Sequence, residues 1–332
     1  MRSGQIAYLA FTEKGRALAE TLRASLGGEV SCTRDGVTLA AWTARAFADA
    51  RALVYVGAAG IAVRAIAPHL VSKASDPAVV AVDECGRYAV SLLSGHLGGA
   101  NALARAIGRV CGAEAVITTA TDRGGVFAFD DWARVQGLAL PEPGRIRAVS
   151  AKLLAGERVR VRSVFPIDGA PPAGVELNGD GDVDVWVDVR AHPGLTLVPP
   201  ALVLGVGCRR GTEEKTLEER FAAFCAENGV LPQAVCAAAS IDLKRGEEGL
   251  ASFCAGHGWP LRFYTAAELN AVDGEFTASA FVERAAGVDN VCERAAVRCA
   301  QGELTVKKNA GGSVTFALAQ RVLHLNWRDE RG

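Results

Sequence analysis

Short apolar runs alternate with helical segments through the first 120 residues, and most of these runs end in a polar turn rich in glycine or threonine. Residues 5–10, 29–32, 53–56, 78–82, 87–93 and 115–119 read as strands. Helices are expected at 13–26, around 43–50, at 61–66 and at 101–110, the last with Leu103, Ala104 and Ile107 at helical spacing. Strands that alternate with helices specify an α/β layer with a largely parallel sheet. Residues 83–86 read as the turn of a hairpin within that layer. After Phe129 the pattern changes to a helix at 145–154 and strands at 157–164 and 183–189. The turn-rich stretches 168–174 and 178–182 separate those strands. Alternation resumes at Leu202. The expected fold is two α/β domains with largely parallel sheets, 1–130 and 201–325, separated by a small α+β middle segment, 131–200.

The chain has 332 residues, enough for two or three domains with their own cores. A net charge of −1 excludes a globally basic nucleic-acid binder. No apolar run is long enough to span a bilayer, and 1–4 lead into a strand-like run rather than a signal peptide. A cytoplasmic protein without nucleic-acid or membrane partners is expected. The nine cysteines form no Cys-x-x-Cys pair, which fits reduced thiols. Cys254-x-x-His257 lacks a second ligand pair, so no metal site is expected there.

The chemistry is expected at Ser94-Gly95-His96-Leu97-Gly98-Gly99-Ala100-Asn101, between a strand and a helix. Glycines let a backbone turn sharply and let a ligand approach it. Helix-start N–H groups then point at that ligand. A histidine there can exchange protons near neutral pH. Gly57-Ala58-Ala59-Gly60, with Arg64 following, and Thr118-Thr119-Ala120-Thr121-Asp122 also follow strands. In an open parallel sheet such ends share one edge, so the three motifs are expected to converge. Asp122 could orient His96, act as a base or cap a turn.

The turn Gly205-Val206-Gly207-Cys208-Arg209-Arg210-Gly211 fits neither the dinucleotide nor the P-loop pattern. Its two guanidiniums suit a carboxylate or phosphate, although solvated arginines are equally compatible. Lys244, after Ser240 and Asp242, is a further candidate anion contact or plain surface. His69, His192, His257 and His324 read as structural or surface residues. No nucleophile elbow is present.

Together these motifs resemble the cobalt-precorrin-5A hydrolase family of anaerobic cobalamin biosynthesis. The likeness runs through Gly57 to Pro68, Asp76-Pro77, Asp83-Glu84, Ser91 to Asn101 and Thr118 to Asp122. In the second half it runs through Gly205 to Gly211, Ala239 to Lys244, Val291-Cys292-Glu293 and Lys307-Lys308. The resemblance implies a substrate, a ring-contracted cobalt tetrapyrrole with a δ-lactone. Water opens the lactone and the two-carbon bridge leaves as acetaldehyde, giving cobalt-precorrin-5B. No organic cofactor or protein-bound metal is implied, because the cobalt arrives inside the substrate. Neighbouring pathway enzymes are the natural protein partners.

On that resemblance His96 would activate or position water, with Asp122 orienting it and the 94–101 amides holding the oxyanion. Axial ligation of the substrate cobalt is a rival role for His96. Gly57, Gly60, Ser94, Gly95, Gly98, Gly99, Asn101, Thr118, Thr119, Thr121 and Ser240 would line the substrate. Arg64, Arg209, Arg210 and Lys244 would hold its peripheral carboxylates. A non-catalytic corrinoid carrier and an enzyme acting on a phosphorylated small molecule are the alternatives.

Overall fold

The computed structural model describes residues 4–72, 75–119 and 125–328. They fall into two units, each mixed α/β with mostly parallel sheets. One unit groups the chain up to Val135 with Ile146–Glu157 and Arg328; the other groups Gln136–Arg145 with Arg158–Trp327.

The first unit is built on six strands: β1 (Ile6–Ala10), β2 (Glu29–Cys32), β3 (Ala52–Val56), β4 (Ala78–Val82), β5 (Tyr88–Leu93) and β6 (Glu114–Val116). Their order is β2-β1-β3-β4-β5-β6. Every residue of β3 and β4 is buried, because helices cover both faces. Helices α1 (Glu13–Leu26) and α4 (Ala100–Cys111) bury Ala19, Leu22, Ala104 and Ile107 against Tyr8 and Val54 on one face. Helices α2 (Leu39–Asp49) and α3 (Ala59–Ile66) bury Trp42, Phe47 and Ile66 against Leu9 and Leu53 on the other. Local capping sets the starts. Thr12 accepts the Gly15 amide at 3.0 Å, and Thr38 accepts that of Ala41 at 3.3 Å, so α2 begins ahead of the expected position.

Strand direction decides what the sheet presents at each edge. β1 to β4 are parallel, but β5 runs antiparallel to β4, and β6 is parallel to β5. The reversal is made by the turn at Asp83, whose carboxylate accepts the amides of Cys85, Arg87 and Tyr88 at 2.7–3.0 Å. Gly86, with φ +66°, supplies the left-handed residue that the turn requires. In register, Val79 faces Leu93 while Val82 faces Ala89. The C-terminal ends of β5 and β6 therefore lie beside the N-terminal ends of β1, β3 and β4. Among the described residues this unit also holds helices α5 (Phe129–Val135) and α6 (Ile146–Leu154).

The second unit holds two larger sheets. Short strands β7 (Val159–Ser163), β9 (Val175–Leu177), β10 (Val185–Val187) and β11 (Leu195–Leu197) form a parallel sheet ordered β11-β10-β7-β9. β8 (Ile167–Asp168) pairs with β17 (Leu325–Asn326). The other sheet contains β12 (Leu202–Cys208), β13 (Val235–Ile241), β14 (Leu261–Tyr264), β15 (Glu303–Gly311) and β16 (Val314–Gln320), ordered β14-β13-β12-β16-β15. β12, β13 and β14 are parallel, and β15 and β16 close one side antiparallel. Helices α7 (Glu214–Asn228) and α8 (Glu248–Gly256) contribute Phe221, Phe224 and Phe253 to an aromatic cluster around Phe316. Short helices α9 (Ala266–Asn270) and α10 (Ala280–Ala286) lead to α11 (Cys292–Ala300). α11 packs directly on β12, where a Cβ on Gly205 would lie 1.8 Å from the Cys292 carbonyl oxygen. Among the described residues no helix is long and apolar enough to cross a membrane.

Candidate active site

The glycine loop is a closed turn that caps its own helix. Ser94 takes a left-handed φ of +55° and donates its hydroxyl to the Asp76 carbonyl at 3.0 Å. Gly98 lies so close behind it that a Cβ would be 2.4 Å from the Ser94 Cβ. Gly99, at φ +84°, is the residue from which α4 departs. A Cβ on Gly95 would meet the Asn101 side chain at 2.8 Å. Through this fold the Gly99 amide donates to His96, that of Ala100 to Ser94, and that of Asn101 to Gly95, at 2.9–3.2 Å. The expectation that helix-start amides face a ligand is therefore corrected: loop carbonyls consume those of Gly99, Ala100 and Asn101. The amides of Leu97 and Gly98 make no hydrogen bond among the described residues.

His96 does not stand alone in this loop. Its Nδ1 lies 2.6 Å from Oδ2 of Asp131, with the two side chains 14% and 6% exposed. A carboxylate can only accept, so Nδ1 carries the proton and Nε2 becomes the basic nitrogen. Asp131 sits in the first turn of α5, where the helix dipole favours an anion. Edge-on packing of Phe129 against Phe127 and Trp132, the latter fully buried, fixes that turn in place. The second carboxylate oxygen, Oδ1, is buried without a hydrogen-bond partner. Asp131 escaped the sequence reading because it lies 35 residues from His96, with no spacing rule linking them. The acidic pair Asp130-Asp131 ahead of the buried Trp132 was the available signal.

Burial raises the Asp130 carboxyl above the usual carboxylate range; His96 opposes this and Asp131 adds to it. With the folded value above the unfolded one, the stabilising contribution is complete in acid and is lost as pH rises through the folded value. Asp130→Asn is therefore expected to raise the melting temperature at about pH 7, with the gain shrinking toward about pH 4. Thermal melts of both proteins across that range check the sign.

Other residues share this edge. Asn101, 1% exposed, donates to the Thr119 hydroxyl at 3.2 Å, tying the end of β6 to α4. Thr118 precedes it. Arg134 packs on the loop, its Nε 3.7 Å from where a Gly99 Cβ would be. Thr121 and Asp122 lie outside the described residues.

Gly57, Gly60 and Arg64 do not join them. Val56 faces Val82 in register and the Gly57 amide donates to the Val82 carbonyl at 2.8 Å, at the edge opposite His96. Expected convergence of three motifs is thus reduced to two, because the hairpin turns β5 and β6 around. Gly57 has a structural reason to be glycine, since a Cβ would lie 2.7 Å from the Phe11 ring. Arg64 is exposed on α3, which covers the opposite face from α4.

In the second unit the ends of β12 and β13 do come together. Lys244 pairs with Glu247 at 3.2 Å, and Glu247 also accepts the Gly211 amide at 2.7 Å. Arg209 and Arg210 are exposed. Arg210, Gly211, Thr212, Leu243 and Glu247 line a cleft of about 530 Å³. Ser240 is fully buried and donates to the Val206 carbonyl at 2.7 Å. Ser240→Ala is expected to lower stability by about 1 kcal/mol. Unchanged steady-state kinetics beside a lower melting temperature would confirm a purely structural hydroxyl.

Two family models match the chain. Residues 41–122 match Cobalamin synthesis G N-terminal, and residues 202–319 match Cobalamin synthesis G C-terminus. The chain is 34% identical over 302 residues to the cobalt-precorrin-5A hydrolase of Salmonella typhimurium, spanning 83% of this chain and 85% of the relative. It is 29% identical over 299 residues to the cobalt-precorrin-5A hydrolase of Priestia megaterium, spanning 82% and 79%. Among solved structures, a putative cobalamin biosynthesis protein G homolog from Sulfolobus solfataricus aligns over 95% of this chain and 97% of its own. That alignment has a TM-score of 0.41 and 19% identity.

Proposed function

The chain belongs to the cobalt-precorrin-5A hydrolase family, and on that premise we propose that it opens the δ-lactone of a ring-contracted cobalt tetrapyrrole and releases acetaldehyde. The observation that carries the mechanism is the 2.6 Å pairing of His96 with Asp131 inside the glycine loop.

Lactone hydrolysis needs a base for water and donors for the oxyanion. With Asp131 holding Nδ1, Nε2 of His96 takes a proton from water as its oxygen bonds to the lactone carbonyl carbon. The carbonyl electron pair moves to oxygen, where the Leu97 and Gly98 amides are the loop donors left for it. The imidazolium then returns the proton to the ring oxygen as the acyl–oxygen bond breaks. A carboxylic acid and a secondary alcohol result. Loss of the alcohol proton and cleavage of the adjacent carbon–carbon bond expels acetaldehyde, and the bonding pair stays on the macrocycle. The chain works without a cofactor of its own on this reading, the cobalt being part of the substrate. On this reading Asp131 is the orienting carboxylate at Nδ1.

Anaerobic incubation with cobalt-precorrin-5A tests the reading, with acetaldehyde trapped and the pigment followed by mass. One acetaldehyde per pigment converted is the expected result. Tight pigment binding without acetaldehyde would instead establish a carrier.

A further inference from the structure

Asp131 holds the ring of His96, but the ring also depends on the backbone that carries it, and that backbone rests on Asn101. Asn101 is the second residue of α4 and is 1% exposed, so its side chain meets protein groups. Its carboxamide lies against Gly95, the residue before His96. A Cβ on Gly95 would stand 2.8 Å from Oδ1, 3.2 Å from Cγ and 3.2 Å from Nδ2. Gly95 is not left-handed, so the reason for a glycine there is the room that Asn101 takes. The backbone amide of Asn101 adds a hydrogen bond to the Gly95 carbonyl at 3.0 Å.

The far end of the same side chain reaches the end of β6, where Nδ2 donates to the Thr119 hydroxyl at 3.2 Å. The ladder between β5 and β6 ends at Val90 and Val116. β5 runs on through Leu93 into the glycine loop, and Thr119 stands beyond Val116. Asn101 therefore carries the connection between the two segments past the point where the sheet pairing stops. A leucine of similar size would fill the space beside Gly95 but could not donate to Thr119. The polar stretches 94–101 and 118–119 are thereby held as one piece.

We propose that Asn101 is a positioning residue for the hydrolysis: through Gly95 it fixes where His96 stands, and through Thr119 it anchors that position to β6. The assignment rests on the hydrolase reading for the reaction concerned, whereas the tie itself is independent of that reading. Asp131 sits on a different helix, α5, with its Oδ2 2.6 Å from Nδ1 of His96. Any shift of the 95–96 backbone is thus a shift of the ring against its orienting carboxylate. Such shifts matter, since a misplacement of about 1 Å costs on the order of 10² in rate.

Kinetics with cobalt-precorrin-5A, paired with NMR of the imidazole nitrogens in the free protein, test the tie. The nitrogen signals read the His96 tautomer, which in the parent is expected to carry its proton on Nδ1. Asn101→Ala is expected to lower kcat about ten- to a hundredfold with KM within about twofold, and to mix the two tautomers. A merely structural asparagine would lower the melting temperature and move neither readout. Thr119→Val removes the acceptor and leaves α4 intact. It should act in the same direction, and it carries the test where Asn101→Ala does not fold. Gly95→Ala crowds the carboxamide, so it should lower kcat in the parent and add little in Asn101→Ala. Parent kcat in the folded variants, or an unchanged tautomer, overturns the proposal. So do fully additive losses for Gly95→Ala and Asn101→Ala. A parent that releases no acetaldehyde, with the tautomer still dependent on Asn101, removes the hydrolase reading and keeps the tie.

Discussion

His96→Ala is expected to lower kcat for lactone opening by roughly 10²–10⁴, the usual contribution of a positioned general base. KM should change little, because the ring acts on water rather than on the macrocycle. The loop should survive. What shapes it is the left-handed Ser94, the tight Ser94–Gly98 approach and the carbonyls that cap α4, and none of these uses the imidazole. A melting temperature close to that of the parent, with intact pigment binding, would separate lost chemistry from lost structure. Were His96 instead an axial ligand to the substrate cobalt, the same variant would alter the visible spectrum of the bound pigment and weaken binding.

Asp131→Asn is expected to be nearly as damaging, and more so than Asp131→Ala. An asparagine in the same place can present its NH₂ to Nδ1, which moves the ring proton to Nε2 and leaves no base facing water. Such tautomer reversal at a comparable carboxylate–histidine pair has an effect of about 10⁴ in rate. Alanine removes the partner without imposing the wrong tautomer, so it should retain more kcat although it deletes more of the side chain. The order parent, alanine, asparagine in kcat at similar KM is the signature of a positioning residue. Equal losses, or the reverse order, would mean that the carboxylate serves only to hold α5 in place.

The elements that carry the site were legible in the sequence to different degrees. The strand, glycine loop and helix around His96 were clear, since an apolar run, three glycines and a helical period follow one another within about two dozen residues. The turn at Asp83 was also readable as a hairpin. Its consequence is the instructive part. A hairpin reverses the chain, so a shared C-terminal edge for Gly57 and His96 is incompatible with it, and the parallel-sheet rule for ligand sites holds only for strands of one direction. The amides of Gly99, Ala100 and Asn101 turn inward for a different reason. Whether a helix-start N–H faces a ligand or a carbonyl of its own loop depends on backbone angles such as that of Ser94, which composition does not specify. Ser240 shows the limit at a strand end, where a serine that meets a ligand and one that ties two strands look alike. Asp131 is a tertiary fact, since it lies on a later helix with no spacing rule that ties it to His96.

The second unit keeps the parallel arrangement that the hairpin of the first unit breaks. Its parallel strands β12 and β13 share a direction, and their polar ends meet as the rule predicts. Lys244 is partly neutralised by Glu247, whereas Arg209 and Arg210 are exposed. An exposed, solvated arginine contributes less than one held in a dry pocket.

Oxygen transfer from water tests the central claim most directly. The conversion of cobalt-precorrin-5A would be run anaerobically in H₂¹⁸O and the macrocyclic product analysed by mass spectrometry. Attack of water on the lactone carbonyl, assisted by His96, predicts one ¹⁸O in the newly formed carboxylate of the product, formed at a rate that collapses in His96→Ala. A product carboxylate without ¹⁸O, or one labelled equally fast by the variant, would contradict it.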